Sequence, residues 1–600
     1  MISAYAGKLL RVDLTSRQVR SESIDPDAAR RFIGGRGLAT KMLSEAVHPQ
    51  VDPLSPANTL ILATGPLTGT SAMCGGRFMA VTKGPLTGTI ASSNCGGTFG
   101  PELKYAGYDM VVLEGAASEP LLMVIEDGKV ELHPAGELWG LNVHETEDRL
   151  HGELGRDFQL VSIGPAGEKL VRFAAIINDK GRAAGRSGVG AVMGSKKLKA
   201  IAVRGTGGLS VADPPGFRAA CLDSLAKLEA GEITGQGLQS FGTAILVNII
   251  NESGVFPTRN FRQGQFESAE KISGETIAEE ILVRPRACVA CPIACGRVTE
   301  VRGGPYRSRG DGPEYETVWA LGADTGVEDL GAVTKANYVC NELGMDTITA
   351  GATVACAMEL FEEGVLSEKD VGRKLKFGDA EAVVDMMTKI GNREGFGDVL
   401  AEGSARVAER YGRPELFMGV KKQEMPAYDP RGVFGMGVQY ATSNRGGCHV
   451  RGYMIAPEIL GVPQKLDAHT PQGKAETNIA FQNLTAALDS IGVCLFVTFS
   501  IGAPELAAML KTATGFDYDA DEFMQVGERI WNLEKLFNMK AGLTRKDDTL
   551  PRRLLSEPMP AGPAKGLTVP LDEMLTQYYR LRGWDEQGAP TQEKLAALGL

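Results

Sequence analysis

Three cysteines fall within eight residues, Cys288-Val289-Ala290-Cys291-Pro292-Ile293-Ala294-Cys295, in a C-x2-C-x3-C spacing. Three thiolates this close cap three corners of a cubane iron–sulfur cluster, and a distant cysteine closes the fourth. A zinc site more usually shows two C-x2-C pairs. The reverse order, C-x3-C-x2-C, belongs to enzymes that cleave S-adenosylmethionine and leave one iron open. The order found here therefore asks for a fourth protein ligand, from Cys74, Cys95, Cys221, Cys340, Cys356, Cys448 or Cys494. Pro292 and the flanking Arg286 and Arg297 place the triplet on a loop, not in a core. A chain with this run is an electron carrier or a redox enzyme.

Composition sets the limits around that run. Six hundred residues, 43% of them hydrophobic, bury several cores, so two or three domains are expected. The 75 glycines, about 12% of the chain against the usual ~7%, mark places where backbone must turn sharply or approach something closely. Net charge is -11 and Lys and Arg are dispersed without a basic stripe, so no nucleic-acid partner is expected. Residues 1–13 carry Lys8, Arg11 and Asp13, and the longest uncharged stretch, 53–76, is broken by Pro and Gly. Neither a signal peptide nor a membrane span is expected. Ten cysteines without a secretory signal read as thiols and metal ligands, and the expected location is the cytoplasm.

Along the chain the texture changes once. Lys8–Asp13 and Gln18–Ser23 predict a hairpin, and 60–63, 78–82, 110–113, 121–125, 129–132 and 198–203 predict further strands. The hexapeptide Gly-Pro-Leu-Thr-Gly-Thr occurs at 65–70 and again at 84–89, each time after a predicted strand, and suggests two equivalent turns of a pseudo-symmetric sheet. Asp213-Pro214-Pro215-Gly216 is a break, after which 217–228, 337–343, 350–363 and 380–389 show helical periodicity. Phe523, Val526, Ile530, Leu533 and Phe537 form an apolar stripe expected to pack in a core. The predicted fold class is α+β: a β-rich N-terminal base over 1–208, with mainly helical domains over 209–415 and 416–600.

Several strings outside the triplet carry chemistry. Asp489-Ser490-Ile491-Gly492-Val493-Cys494 and Asn341-Glu342-Leu343-Gly344-Met345-Asp346 share the form (Asp/Asn)-x-x-Gly-x-(Cys/Asp). Each alone is an ordinary helix C-cap, yet two together could grip two copies of one polar ligand. This pairing singles out Cys494. Gly-rich stretches with arginine, Cys74-Gly75-Gly76-Arg77, Ser93-Asn94-Cys95-Gly96-Gly97 and 182–190 (RAAGRSGVG), could cradle phosphates. Gly312-Pro313-Glu314-Tyr315-Glu316 and Arg445-Gly446-Gly447-Cys448-His449-Val450-Arg451 set titratable groups among turn residues, and point to Glu314 and His449.

Taken together, these strings resemble the tungsten-containing aldehyde:ferredoxin oxidoreductase family over nearly the whole chain. The resemblance implies oxidation of aldehydes to carboxylic acids, with the reverse acid reduction open, at a tungsten held by two molybdopterins. A magnesium ion would join the pterin phosphates, beside Asn94 and Gly96 and one of Ala183 or Ala184. Arg77 would sit between pterin and cluster, and Arg182, Gly185 and Arg186 would hold phosphate. Asn341 and Asp346 would hold one pterin; Asp489 and the Leu495 backbone would hold the other. Cys288, Cys291, Cys295 and Cys494 would bind a [4Fe-4S] cluster, and Glu314 and His449 would act on the aldehyde. Electrons would pass to ferredoxin or a ferredoxin-like subunit, with a flavin subunit in some relatives, so an oligomer or hetero-complex is expected. Asn341 stands where the family's best-known archaeal members have Asp. Two rivals remain open: a benzoyl-CoA reductase subunit with the same cofactor, and a non-catalytic iron–sulfur relay.

Overall fold

The structure, a computed structural model, describes residues 2–600. Its N-terminal third is built on two six-stranded sheets of one design. Across the first sheet the strands run Gln18–Ser23, Lys8–Asp13, Met110–Glu114, Leu60–Thr64, Phe78–Lys83, Ile90–Cys95. Across the second they run Lys129–Pro134, Leu121–Glu126, Leu198–Arg204, Gln159–Ser162, Ile176–Asn178, Arg182–Ala184. In both, the second and third strands pair parallel and every other pair is antiparallel. Six strands in chain order thus repeat as six more, and the domain is internally duplicated.

Side-chain alternation explains how the sheets stack. Leu60, Leu62, Val111 and Leu113 share a core with Leu121, Met123 and Ile125, so the sheets pack face to face. The alternate residues Ile61, Ala63, Met110 and Val112 meet helices Pro26–Phe32 and Gly35–Ala46 on the outer side. On the second sheet Leu122, Val124, Ala200 and Ala202 meet helix Val143–Leu154. Helix layers therefore cover both outer faces, which is why Leu60–Thr64 is buried along its whole length. The edge strands Ile90–Cys95 and Arg182–Ala184 lie side by side. By register, Asn94 opposite Met79 corresponds to Ala183 opposite Ile177.

The predicted hairpin and strands are all present. The hexapeptides are not symmetry mates, however: both lie in the first sheet, after antiparallel neighbours. The counterpart of 65–70 is Gly164-Pro165-Ala166-Gly167, which follows the equivalent strand and keeps only the Gly-Pro.

Beyond Asp213, whose side chain caps helix Pro214–Ala230, the chain is mainly helical. One apolar cluster runs through it from Ala244 to Trp584. A second ties the first sheet's helices to residues 486–537, including Phe523, Val526, Ile530 and Phe537 of helix Ala520–Lys540. Among the described residues no helix is long and apolar enough to cross a membrane.

Candidate active site

Two loops descend from the helical part onto the duplicated base. Helix Leu330–Leu343 ends on Gly344 at φ 75° and helix Lys474–Ile491 ends on Gly492 at φ 85°, the left-handed stop that glycine favours. Gly164 of the second half packs under the first loop, and a Cβ there would lie 2.4 Å from the Leu343 carbonyl oxygen. Gly65 of the first half packs under the other, and a Cβ there would lie 2.1 Å from the Ile491 carbonyl carbon. Matching amides close the junctions: Ala175 donates to the Gly344 carbonyl at 2.8 Å and Arg77 to the Gly492 carbonyl at 3.3 Å. Asn341 and Asp489, and likewise Asp346 and Cys494, thus occupy equivalent places above equivalent strands.

Between base and loops lies a cavity of about 580 Å³, within the range of small-molecule and cofactor sites. Every expected cofactor residue except Ala184 lines it: Arg77, Asn94, Gly96, Arg182, Ala183, Gly185, Arg186, Asn341, Asp346, Asp489 and Leu495. Ala184 is buried in the core between the sheets, while its neighbour Ala183 is exposed to the cavity, as strand alternation requires. Asp489 accepts from Arg451 Nη1 at 2.6 Å and from Asn94 Nδ2 at 2.9 Å. Asp346 lies 3.2 Å from Arg186 Nε and caps the next helix through Ile348 N and Thr349 N.

Of the cysteines, Cys295 and Cys494 line the cavity. Arg77 Nη2 lies 2.9 Å from Cys494 Sγ. Burial disfavours the Arg77 charge, but Cys494, Cys288 and Cys295 outweigh it and raise its pKa well above the usual value. Cys288 Sγ lies against Gly96, where a Cβ would come within 2.8 Å. Cys291 Sγ lies 3.6 Å from the thiol of Cys74. Cys340 and Cys356 belong instead to the helical core, and Cys448 Sγ is gripped by Arg445 Nη2 at 3.0 Å and Nε at 3.3 Å. Among the described residues no three side chains converge on a single metal ion. Cys288, Cys291, Cys295 and Cys494 all lie within electrostatic reach of Arg77, a thiol donor set whose chemistry suits an iron–sulfur group.

The acid beside His449 is Glu316. Its Oε1 lies 3.7 Å from His449 Nδ1, and neither atom has a hydrogen-bond partner. Glu314, the residue singled out by sequence, is 41% exposed; it accepts from Thr243 Oγ1 at 2.5 Å and lies 3.8 Å from Arg182 Nη1. Burial pushes the Glu316 carboxyl up to about 8, although the Ala427 amide and Arg186 pull the other way. Burial, with Arg186, Arg445 and Arg451 nearby, drives the His449 pKa well below its usual value. At pH 7 the pair is therefore an un-ionised acid beside a neutral imidazole. Tyr315, Tyr428 and Tyr453 line the same cavity, with the Tyr428 ring 6.2 Å from the imidazole. Sequence reasoning also left out Arg445 and Arg451 as lining cations, although their string was in view. Buried Arg186 Nη1 and Arg451 Nε make no hydrogen bond, and Arg186 Nε meets only the Asp346 carboxylate as an ion pair. Orphan arginine donors on the cavity wall fit a ligand that brings anionic oxygens.

A duplicated β base, a roofed polar cavity and a cysteine cluster site beside it define a redox protein built around a buried cofactor. Residues 9–205 match the N-terminal domain of aldehyde ferredoxin oxidoreductase and residues 220–600 match its domains 2 and 3, and the chain belongs to that family. It is 52% identical over 603 residues to a protein of Pyrococcus abyssi named tungsten-containing aldehyde ferredoxin oxidoreductase, covering 99% of each chain. A protein of the same name from Pyrococcus furiosus is 52% identical over 599 residues, covering 99% of this chain and 98% of that one. A P. furiosus protein named aliphatic sulfonate oxidoreductase, WOR-like subunit, is 31% identical over 648 residues, covering 100% and 97%. Among solved structures, the active-site complex BamBC of benzoyl coenzyme A reductase with 1,5-dienoyl-CoA superposes with a TM-score of 0.88 at 26% identity, covering 100% of this chain and 98% of that one.

Proposed function

We propose that this chain oxidises aldehydes to carboxylic acids at a tungsten bis-molybdopterin centre in the cavity, and passes electrons through a [4Fe-4S] cluster on Cys288, Cys291, Cys295 and Cys494 to a ferredoxin in the cytoplasm. The names and full-length identity of the Pyrococcus relatives support this reading. The observation that carries it is the Glu316–His449 pair, which lines the same cavity as Arg77, Cys295 and Cys494. Asn341 with Asp346, and Asp489 with the Leu495 backbone, would hold one pterin each. Arg182, Gly185 and Arg186 would take phosphate, and Asn94 with Gly96 and Ala183 would sit at a magnesium ion between the two phosphates. The tungsten centre, when bound, supplies the two-electron oxidation that a one-electron cluster cannot perform.

The chain's own groups do the rest. Neutral His449 can donate a hydrogen bond to a carbonyl oxygen as negative charge develops there. Glu316 takes a proton from water or from the hydrated aldehyde once its own proton has left, and the raised pKa places that change near neutrality. Arg186, Arg445 and Arg451 keep the pocket positive, which favours a carboxylate product. Glu314 faces Arg182 on the same cavity wall and is held by Thr243 Oγ1.

The test is the purified protein from tungstate-grown cells, assayed with aliphatic and aromatic aldehydes and a viologen acceptor. Turnover with roughly one tungsten, two pterins and four irons per chain is expected. Full activity without tungsten or molybdenum overturns the reading. Reduction of an aromatic CoA thioester with no aldehyde oxidation would favour the ring-reducing chemistry named for the BamBC structure.

A further inference from the structure

Cys74 is a buried thiol that neither the fold nor the proposed chemistry has yet used. Its Sγ lies 3.6 Å from Cys291 Sγ, inside the reach of a sulfur hydrogen bond. Its position is fixed from both sides by the segments that carry the cluster cysteines. The Cys74 amide donates to the Ala290 carbonyl at 2.7 Å, within the Cys288–Cys295 loop, and the Cys74 carbonyl accepts from the Cys494 amide at 3.2 Å. The residue is 2% exposed, so water does not compete for the thiol.

We infer that Cys74 is not a cluster ligand but a positioning residue, whose S–H donates to Cys291 Sγ and raises the reduction potential of the cluster. The inference rests on the cluster assignment above. A donor on a ligand sulfur stabilises the reduced, more negative cluster, and hydrogen bonds to the sulfurs are among the features that set cluster potentials. Two ligands then carry one donor each: Cys494 faces the Arg77 guanidinium and Cys291 faces the Cys74 thiol. Cys74 sits among buried apolar side chains, where a thiol stays neutral and can act as the donor to the ligand sulfur. Cys448 shows the opposite arrangement. Burial opposes its ionisation, but Arg445, Arg451 and Arg186 outweigh burial and lower its pKa.

The experiment is an EPR-monitored redox titration of the wild-type holoenzyme beside Cys74→Ala and Cys74→Ser, with iron and tungsten counted in each. Four irons in all three, a midpoint shifted to lower potential in Cys74→Ala, and partial return in Cys74→Ser, which keeps a hydroxyl donor, are expected. An unchanged midpoint in Cys74→Ala overturns the inference. So does loss of iron in Cys74→Ala but not in Cys291→Ala, which would make Cys74 the ligand. Absence of any cubane signal in wild type overturns the cluster assignment instead, so the two failures are told apart.

Discussion

The loops Asn341–Asp346 and Asp489–Cys494 share a helix stop, a glycine floor and a backbone bond to the base, but they end differently. Asp346 turns back to cap a helix and meet Arg186. Cys494 turns toward Arg77 and the cysteine loop. Duplication has made two equal seats, and one side chain sets which of them faces Arg77 and the cysteine loop. The polar partners differ to match: Asp489 is held by Arg451 and Asn94, whereas Asn341, uncharged, only donates to the Asp311 carbonyl.

The most disruptive way to break the comparison is to make the loops alike. Cys494→Asp should abolish the cluster, with iron content and low-temperature EPR as the readout, whereas Asp346→Cys should leave both unchanged. An intact cluster in Cys494→Asp would move the fourth ligand to another cysteine.

Next in size are the groups on the cavity wall. Glu316→Gln and His449→Ala should each keep tungsten and iron but lose about 10²–10⁴-fold in aldehyde turnover. Wild-type turnover should rise with pH through about 8 as Glu316 ionises, and Glu316→Gln should lose that limb. Glu314→Gln should cost less than either. Glu314 lines the same cavity, and a larger loss there with full metal content would make it the acting carboxylate.

The floor should respond equally on both sides. Gly65→Ala and Gly164→Ala each push a methyl into backbone, and each should destabilise the chain by about 1–3 kcal/mol in denaturant unfolding. A loss on one side only would show that the two seats carry unequal load. The last test concerns pH. The folded Glu316 stays protonated up to about 8 while the unfolded carboxyl ionises at ordinary acidic pH. The native chain then binds the extra proton, so this group lowers stability as pH rises through that interval, and Glu316→Gln should flatten the slope of Tm against pH.

Much of this was legible in residue patterns. Strand alternation and the Asp213–Gly216 break gave the elements, because both rest on local backbone rules. The duplication was hidden, since only Gly164-Pro165 still resembles Gly65-Pro66, and a better-preserved repeat at 84–89 pointed to the wrong mate. The choice between Glu314 and Glu316 was hidden too. Glu314 is the extended N-cap of helix Tyr315–Val318 and Glu316 lies in its first turn, so the two project differently, and only the fold shows which meets His449. Cys74 could not be told from six other lone cysteines without its 3.6 Å contact.

The cavity wall draws on residues from Arg77 to Phe499, contributed by both halves of the base and by the helical part. No fragment of the chain owns the site. On a ribosome the pocket would exist only after residue 499 has emerged and the two helical loops have settled on their glycine floors. A cofactor held in this cavity would have to load at those last stages of folding, and a truncated chain would lack the cavity's roof.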